Sequence, residues 1–436
     1  MKTTCLAFAC SLLLSTPLVA KEPAASTSDA ASPLYSMIDA AKQVPKMRWE
    51  EQSGPVHQLI YEGESYQGHP TEVFAFYASP STLSENSGAA TPDSQTKYPA
   101  VVLIHGGGGT AFAEWAWLWA KRGYAAIAMD LAGSRPIDPV YDPNTGTPIR
   151  NQTVRRETRT RLPLGGPDQG HDTKFDSIGA DVSDDWPYHA ASSVLRAHSL
   201  IRSFDEVDAE QTAVTGISWG GYTTCLVASL DDRFSAAVPV YGCGFLFEGE
   251  SVQKPSIDKL NDRRNAWIKA YDPSSVLTQC RVPILFVNGT NDIHYPLDSY
   301  QKSFAAVPGE KQIRIEVNMP HGHPAGWAPK EIGIFIDSHC RGGVPLATLE
   351  TPVVQENEVH VQYKSQTPLE SATLHYTTDT GLRSKRKWKS ISGKITDAVV
   401  ITAAPPQDAN TWFVSVTDQR DAMVTTPVQF QGATSE

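Results

Sequence analysis

Ser218 stands in the run Gly216-Ile217-Ser218-Trp219-Gly220. A serine hydroxyl becomes a useful nucleophile when an imidazole takes its proton and a carboxylate holds that imidazole in place. Both groups occur downstream. Asp292 closes Gly289-Thr290-Asn291-Asp292, and two histidines follow in Met319-Pro320-His321-Gly322-His323. His323, immediately before the last helical pattern, is the expected base, with Asp292 as its orienting acid; His321 is the alternative. His294 is so near Asp292 in sequence that it leaves the acid no separate strand end to work from. The negative charge that develops on a carbonyl oxygen needs preorganised N–H donors. Trp219, the residue after the nucleophile, is expected to supply one. Gly107 or Gly108, in His105-Gly106-Gly107-Gly108-Gly109, is expected to supply the other, because glycine lets backbone approach a substrate closely.

Such a constellation needs elements to position it. Residues 99–104 and 124–129 are continuous apolar runs, as expected for strands covered on both faces of a parallel sheet. Further strands are predicted at 72–77, 212–215, 236–240, 282–287 and 313–317. Helical patterns run over 111–122, 186–203, 220–230 and 329–338. The glycine run, Ser218, Asp292 and the histidines each follow a predicted strand. Strands alternating with helices predict a doubly wound, mostly parallel α/β sheet. Past Gly342-Gly343 the helical patterns stop. Short alternating runs at 359–364, 373–378, 399–402 and 412–417 predict a small all-β sandwich at 346–436.

Residues 134–181 are long, polar and poor in aliphatic side chains. An insertion of this kind in a compact domain is usually functional or disordered. It carries Arg150, Arg155, Arg156, Arg159 and Arg161 in a chain whose net charge is −11. Arginine binds carboxylates and sulfates in a bidentate manner, although a solvated loop explains the same residues. Trp186-Pro187-Tyr188-His189 opens the long helix and fits core packing better than a pocket wall. The acidic balance argues against nucleic acid as a partner.

The first 20 residues read as a signal peptide, with Lys2, an apolar stretch at 6–14 and a cleavage site near Ala20. A secreted or periplasmic location is therefore expected, without a membrane span. Residues 21–33 are expected to form a disordered leader, with the catalytic domain covering the rest of 21–345. Cys225, Cys243, Cys280 and Cys340 could pair in an exported chain or serve as small core residues. None shows close CxxC spacing, so no metal is expected, and the triad needs no cofactor.

On these motifs the chain resembles the α/β-hydrolase superfamily over residues 99–343. Within it, the chain is similar to bacterial acetyl xylan esterase-like and dienelactone-hydrolase-like enzymes. It is also similar to prolyl-oligopeptidase-type serine hydrolases, which share the Gly-Gly-Tyr after the nucleophile. Nothing ahead of the catalytic region is long enough for the propeller of the latter, and the nucleophile is serine where dienelactone hydrolases use cysteine. With the signal-like start and the Arg-rich insertion, the first reading is an exported serine esterase that cleaves carboxylic esters of a small molecule or polysaccharide, acyl or acetyl groups on carbohydrate. A prolyl-oligopeptidase-type peptidase is the second reading, and a carbohydrate-binding protein with a vestigial hydrolase domain the third.

Overall fold

The computed structural model describes residues 32–87, 96–142, 145–149 and 159–431. The expected signal peptide, residues 21–31 of the expected leader, and Arg150, Arg155 and Arg156 lie outside them. The end of the expected leader is seated in the fold. Ser32 is buried and donates to the Ala270 carbonyl at 2.7 Å, and Leu34 and Met37 join the core.

The apolar runs form the centre of a large sheet. Its first nine strands are β1 (Met47–Glu51), β2 (His57–Glu62), β3 (Glu72–Ala78), β4 (Tyr98–Ile104), β5 (Ala125–Met129), β6 (Val207–Ile217), β7 (Ala236–Val240), β8 (Ile284–Gly289) and β9 (Lys311–Glu316). Their order is β1-β2-β3-β5-β4-β6-β7-β8-β9. The strands from β5 to β9 are mutually parallel, and β1 to β3 add an antiparallel edge. β4 and β5 are buried at every residue, which is why they read as unbroken apolar runs. β1 and the start of β6 did not read as strands. Arg48, Glu50 and Glu51 in β1, and Asp208, Glu210 and Gln211 in β6, interrupt the apolar pattern at exposed or half-buried positions, as charges commonly do where a strand meets solvent.

Helices α1 (Ala113–Lys121), α2 (Trp186–Arg202), α3 (Trp219–Leu230), α4 (Leu297–Ala306) and α5 (Lys330–Cys340) connect these strands. α2 and α3 cover one face of the sheet and α1 and α5 the other. An Arg122–Asp337 ion pair at 2.6 Å ties α1 to α5. Chain order reverses at β4, which lies between β5 and β6. In a doubly wound sheet, the crevice at the carboxyl ends of such strands is where ligands bind.

The C-terminal residues form a β sandwich. Its strands are β10 (Glu358–Lys364), β11 (Leu369–Thr377), β12 (Lys389–Ser392), β13 (Val399–Ala403), β14 (Thr411–Asp418) and β15 (Met423–Thr425). β10 and β13 form one sheet, and β12, β11, β14 and β15 the other. Val359, Val361, Val400, Leu374 and Val414 are buried among them. The second sheet continues the large one, through the antiparallel pair Ile313–Thr425 between β9 and β15. The described residues from Ser32 onward group as one compact unit.

Among the described residues no helix is long and apolar enough to cross a membrane. Cys225, Cys243, Cys280 and Cys340 are buried free thiols. Burial pushes all four above the ordinary thiol range, so they behave as small core side chains.

Candidate active site

Ser218 occupies a turn that most residues would refuse. Its φ is +59°, a left-handed conformation that costs a side-chain-bearing residue energy and recurs at functional sites. The flanking glycines make the turn possible. A Cβ on Gly216 would lie 2.3 Å from the Gly220 carbonyl oxygen, and one on Gly220 would lie 2.1 Å from that of Ile104. β6 and α3 therefore meet at a sharp angle, with α3 pressed against the end of β4. Ser218 caps α3 and projects its hydroxyl beyond the carboxyl end of the sheet.

Two neighbouring strand ends complete the line. Asp292 follows β8, with its side chain almost fully buried. Its Oδ1 accepts the backbone N–H groups of His294 and Tyr295 at 2.8 and 2.9 Å. Its Oδ2 accepts from His321 Nδ1 at 2.6 Å. A carboxylate accepts only, so the proton sits on Nδ1, and Nε2 is the acceptor for Ser218 Oγ at 3.0 Å. His321 follows β9, and the Tyr241 ring stacks on it at 4.5 Å. The Tyr241 hydroxyl fixes the same loop by donating to the Pro320 carbonyl at 2.5 Å.

This geometry corrects the expected base. His321 bridges Ser218 and Asp292, and His323 does not. Gly322 between them is extended, at φ 173° and ψ 162°, and His323 begins a short helix, His323–Trp327. Its ring turns toward the glycine loop, where Nε2 accepts the Gly106 N–H at 2.9 Å, and Phe112 packs on it at 4.7 Å. Burial lowers its pKa to about 3, so it stays neutral and serves as an acceptor.

The glycine loop is held from both sides. The His105 Nδ1–H donates to the Gly106 carbonyl at 2.8 Å, and its Nε2 accepts from Leu131 N–H at 2.9 Å. Gly109 N–H reaches the same Gly106 carbonyl at 3.1 Å. The next N–H in a trans peptide points opposite its carbonyl, so Gly107 N–H faces away from these partners. Gly108, at φ +69°, donates to Gln169 Oε1 at 3.2 Å. Of the two expected loop donors, Gly107 is therefore the one left open among the described residues. Trp219 opens α3, and the first N–H groups of a helix have no partner within it.

The insertion returns to this site. Ser134–Arg135 pairs with Thr160–Arg161, and a helical turn spans Asp172–Asp176. Phe175 is buried 6.1 Å from the Trp219 ring, and Lys174 Nζ lies 4.6 Å from that ring's centre. Arg159 donates to the Gly109 carbonyl, and Arg161 to the Ala132 and Gly165 carbonyls at 2.8 and 3.0 Å. Two cavities meet at Gly108. One, of about 450 Å³, is polar and lined by Tyr66, Arg159, Arg161 and Gln169. The other, of about 290 Å³, is apolar, with Phe76, Phe112, Ile137 and Trp327 in its wall. Tyr241 and Gln169 carried no motif that pointed to the site. Trp186 proves to be core, fully buried with Nε1–H on the Leu131 carbonyl at 2.6 Å.

The model of the Dienelactone hydrolase family matches residues 86–323. An acetyl xylan esterase from Paenibacillus sp. R4 is similar in structure, with a TM-score of 0.52 at 19% identity over 70% of this chain and 93% of that one. Acetyl xylan esterase 1 from Thermoanaerobacterium sp. JW/SL YS485 gives 0.50 at 15% identity, over 70% and 94%. These likenesses are of fold. A curated relative named "Uncharacterized peptidase YuxL", from Bacillus subtilis (strain 168), is 23% identical over 235 residues. That stretch is 50% of this chain but 29% of the relative, so the chain spans less than a third of that protein's length.

Proposed function

The chain belongs to the dienelactone hydrolase family, and we propose that it is a serine hydrolase cleaving carboxylic esters through an acyl-enzyme on Ser218. The observation that carries this reading is the hydrogen-bonded line from Ser218 Oγ through His321 to Asp292. His321 Nε2 takes the Ser218 proton as Oγ bonds to the acyl carbon, and the carbonyl electron pair moves onto its oxygen. The N–H groups of Trp219 and Gly107 are the donors for that oxyanion. The alcohol then leaves with the proton from His321. Water attacks the acyl-enzyme, His321 takes its proton, and that proton returns to Ser218 Oγ as the C–Oγ bond breaks. Asp292 holds the His321 tautomer throughout.

The proposed substrates are acyl, and specifically acetyl, groups on carbohydrate, met outside the cytoplasm. The signal-like residues 1–20 support export. The polar cavity with Arg159, Arg161 and Gln169 suits a hydroxyl-rich or anionic leaving group. Peptidase activity is the second reading, favoured by the similarity to the Bacillus subtilis relative. A screen of acetylated oligosaccharides, methyl uronates and Xaa-Pro amides decides between them. Ser218→Ala should lose at least about a thousandfold in kcat/KM on p-nitrophenyl acetate. Full activity in that variant ends the proposal. A native Ser218 inert to a fluorophosphonate would instead favour a vestigial site.

A further inference from the structure

Tyr295 follows Asp292 by three residues on the loop leaving β8. Its backbone is committed, with N–H on Asp292 Oδ1 at 2.9 Å and its carbonyl accepting from Asn288 Nδ2 at 2.8 Å. The carboxylate that orients His321 thus also fixes Tyr295. The two rings are nearly parallel, with centres 6.5 Å apart.

The Tyr295 side chain is completely buried. Even so, among the described residues no group makes a hydrogen bond of acceptable geometry with its hydroxyl. Other fully buried tyrosines in this core are satisfied. The Tyr61 hydroxyl donates to the Ser193 carbonyl at 2.8 Å, Tyr222 to Tyr271 at 2.5 Å and Tyr300 to Val287 at 2.7 Å. An unpaired buried hydroxyl carries a desolvation cost. Its ring runs parallel to that of His321, whose Nε2 accepts from Ser218 Oγ, so the phenol lies in the neighbourhood of the nucleophile. Burial pushes the phenol well above the ordinary tyrosine range, and the Ser218 hydroxyl pulls the other way. Tyr295 therefore keeps its proton and acts as a donor.

We propose that Tyr295 is a further catalytic residue, whose O–H is unpaired in the resting site and bonds Ser218 Oγ as charge develops there. In acylation the proton of Ser218 passes to His321 while Oγ forms its bond to carbon, and Tyr295 O–H stabilises the negative charge on Oγ during that transfer. In deacylation the electron pair of the C–Oγ bond returns to Oγ, and Tyr295 supports it until His321 delivers the proton. Tyr295 itself exchanges no proton. An interaction made in the transition state and not in the ground state accelerates the reaction without tightening substrate binding. The proposal rests on Ser218 being the nucleophile.

Tyr295→Phe removes only the oxygen. The rate of fluorophosphonate labelling and kcat on p-nitrophenyl acetate should both fall, by about tenfold to a hundredfold, with KM nearly unchanged. Tm should hold or rise, because the variant loses an unpaired buried hydroxyl. Unchanged rates overturn the proposal. So does a lowered Tm or a failure to fold, either of which makes the hydroxyl structural. A parent protein that the fluorophosphonate does not label sinks the nucleophile reading together with this one; a labelled parent with an equally fast variant sinks this one alone.

Discussion

Two histidines separated by one glycine have different work, and the difference is one of direction. His321 projects between Ser218 and Asp292. His323 projects back to Gly106, where its unprotonated Nε2 holds the peptide ahead of the expected oxyanion donor. Deleting each imidazole should therefore give unequal losses. His321→Ala should reduce kcat/KM on p-nitrophenyl acetate by at least about a thousandfold and abolish fluorophosphonate labelling. His323→Ala should retain labelling and lose about tenfold, because the loop relaxes while the triad stands. The reverse pattern would return the role of base to His323. Two positions of this site illustrate what residue types alone convey. Ser218 announced itself by its glycines. Tyr295 did not, because a tyrosine in a turn has no distinguishing spacing.

Elements place these residues, and glycines set how closely the elements approach. Gly220 lies where α3 crosses the end of β4. An added methyl group there meets the Ile104 carbonyl at 2.1 Å, which is backbone that no rotamer change can move. α3 must then shift, carrying Trp219 N–H and Ser218 with it. Gly220→Ala should cost about 1–3 kcal/mol or more, the usual range for overpacking, and reduce esterase turnover at least about tenfold. A thermal melt and a p-nitrophenyl acetate assay on the same preparation check both, and a variant equal to the parent in both would contradict the close approach. The elements were legible in the sequence where both faces are covered, as in β4 and β5. β1 was not, because an exposed edge strand tolerates the charges of Arg48, Glu50 and Glu51 and so reads as loop.

At the scale of the molecule, catalytic sheet and C-terminal sandwich share one continuous ladder. Contacts around Glu331 on α5 reinforce the join. Its buried carboxylate lies 3.1 Å from Arg314 and accepts Met423 N–H at 2.6 Å. The interior also holds neutral histidines. His198 is fully buried, with Nδ1 on Asp231 at 2.8 Å and Nε2 beside Thr212 Oγ1 at 2.7 Å. Arg233 takes up the Asp231 charge, and burial lowers the His198 pKa to about 4. His323 is lowered too. A folded pKa below the ordinary value near 6.5 means that the unfolded chain binds the extra proton first. Their contribution is thus complete above about pH 6.5 and is lost as pH falls toward 4. The urea midpoint should drop between pH 7.5 and pH 5, a window above the ordinary titration of most carboxylates. A flat or rising midpoint would refute the assignment.

The sequence by itself determined the fold class and the alternation of elements, and it set the candidate serine, acid and histidines in order. These depend on local rules: glycine where backbone crowds, apolar runs where both faces are covered, loops at strand ends. It did not determine which histidine serves Ser218, which glycine N–H stays open, or that a sandwich would extend the catalytic sheet. Those depend on where side chains distant in sequence converge. Between His321 and His323 the residue type is identical and the spacing nearly so, and only the fold, by starting a helix at His323, sends one ring to Asp292 and the other to Gly106.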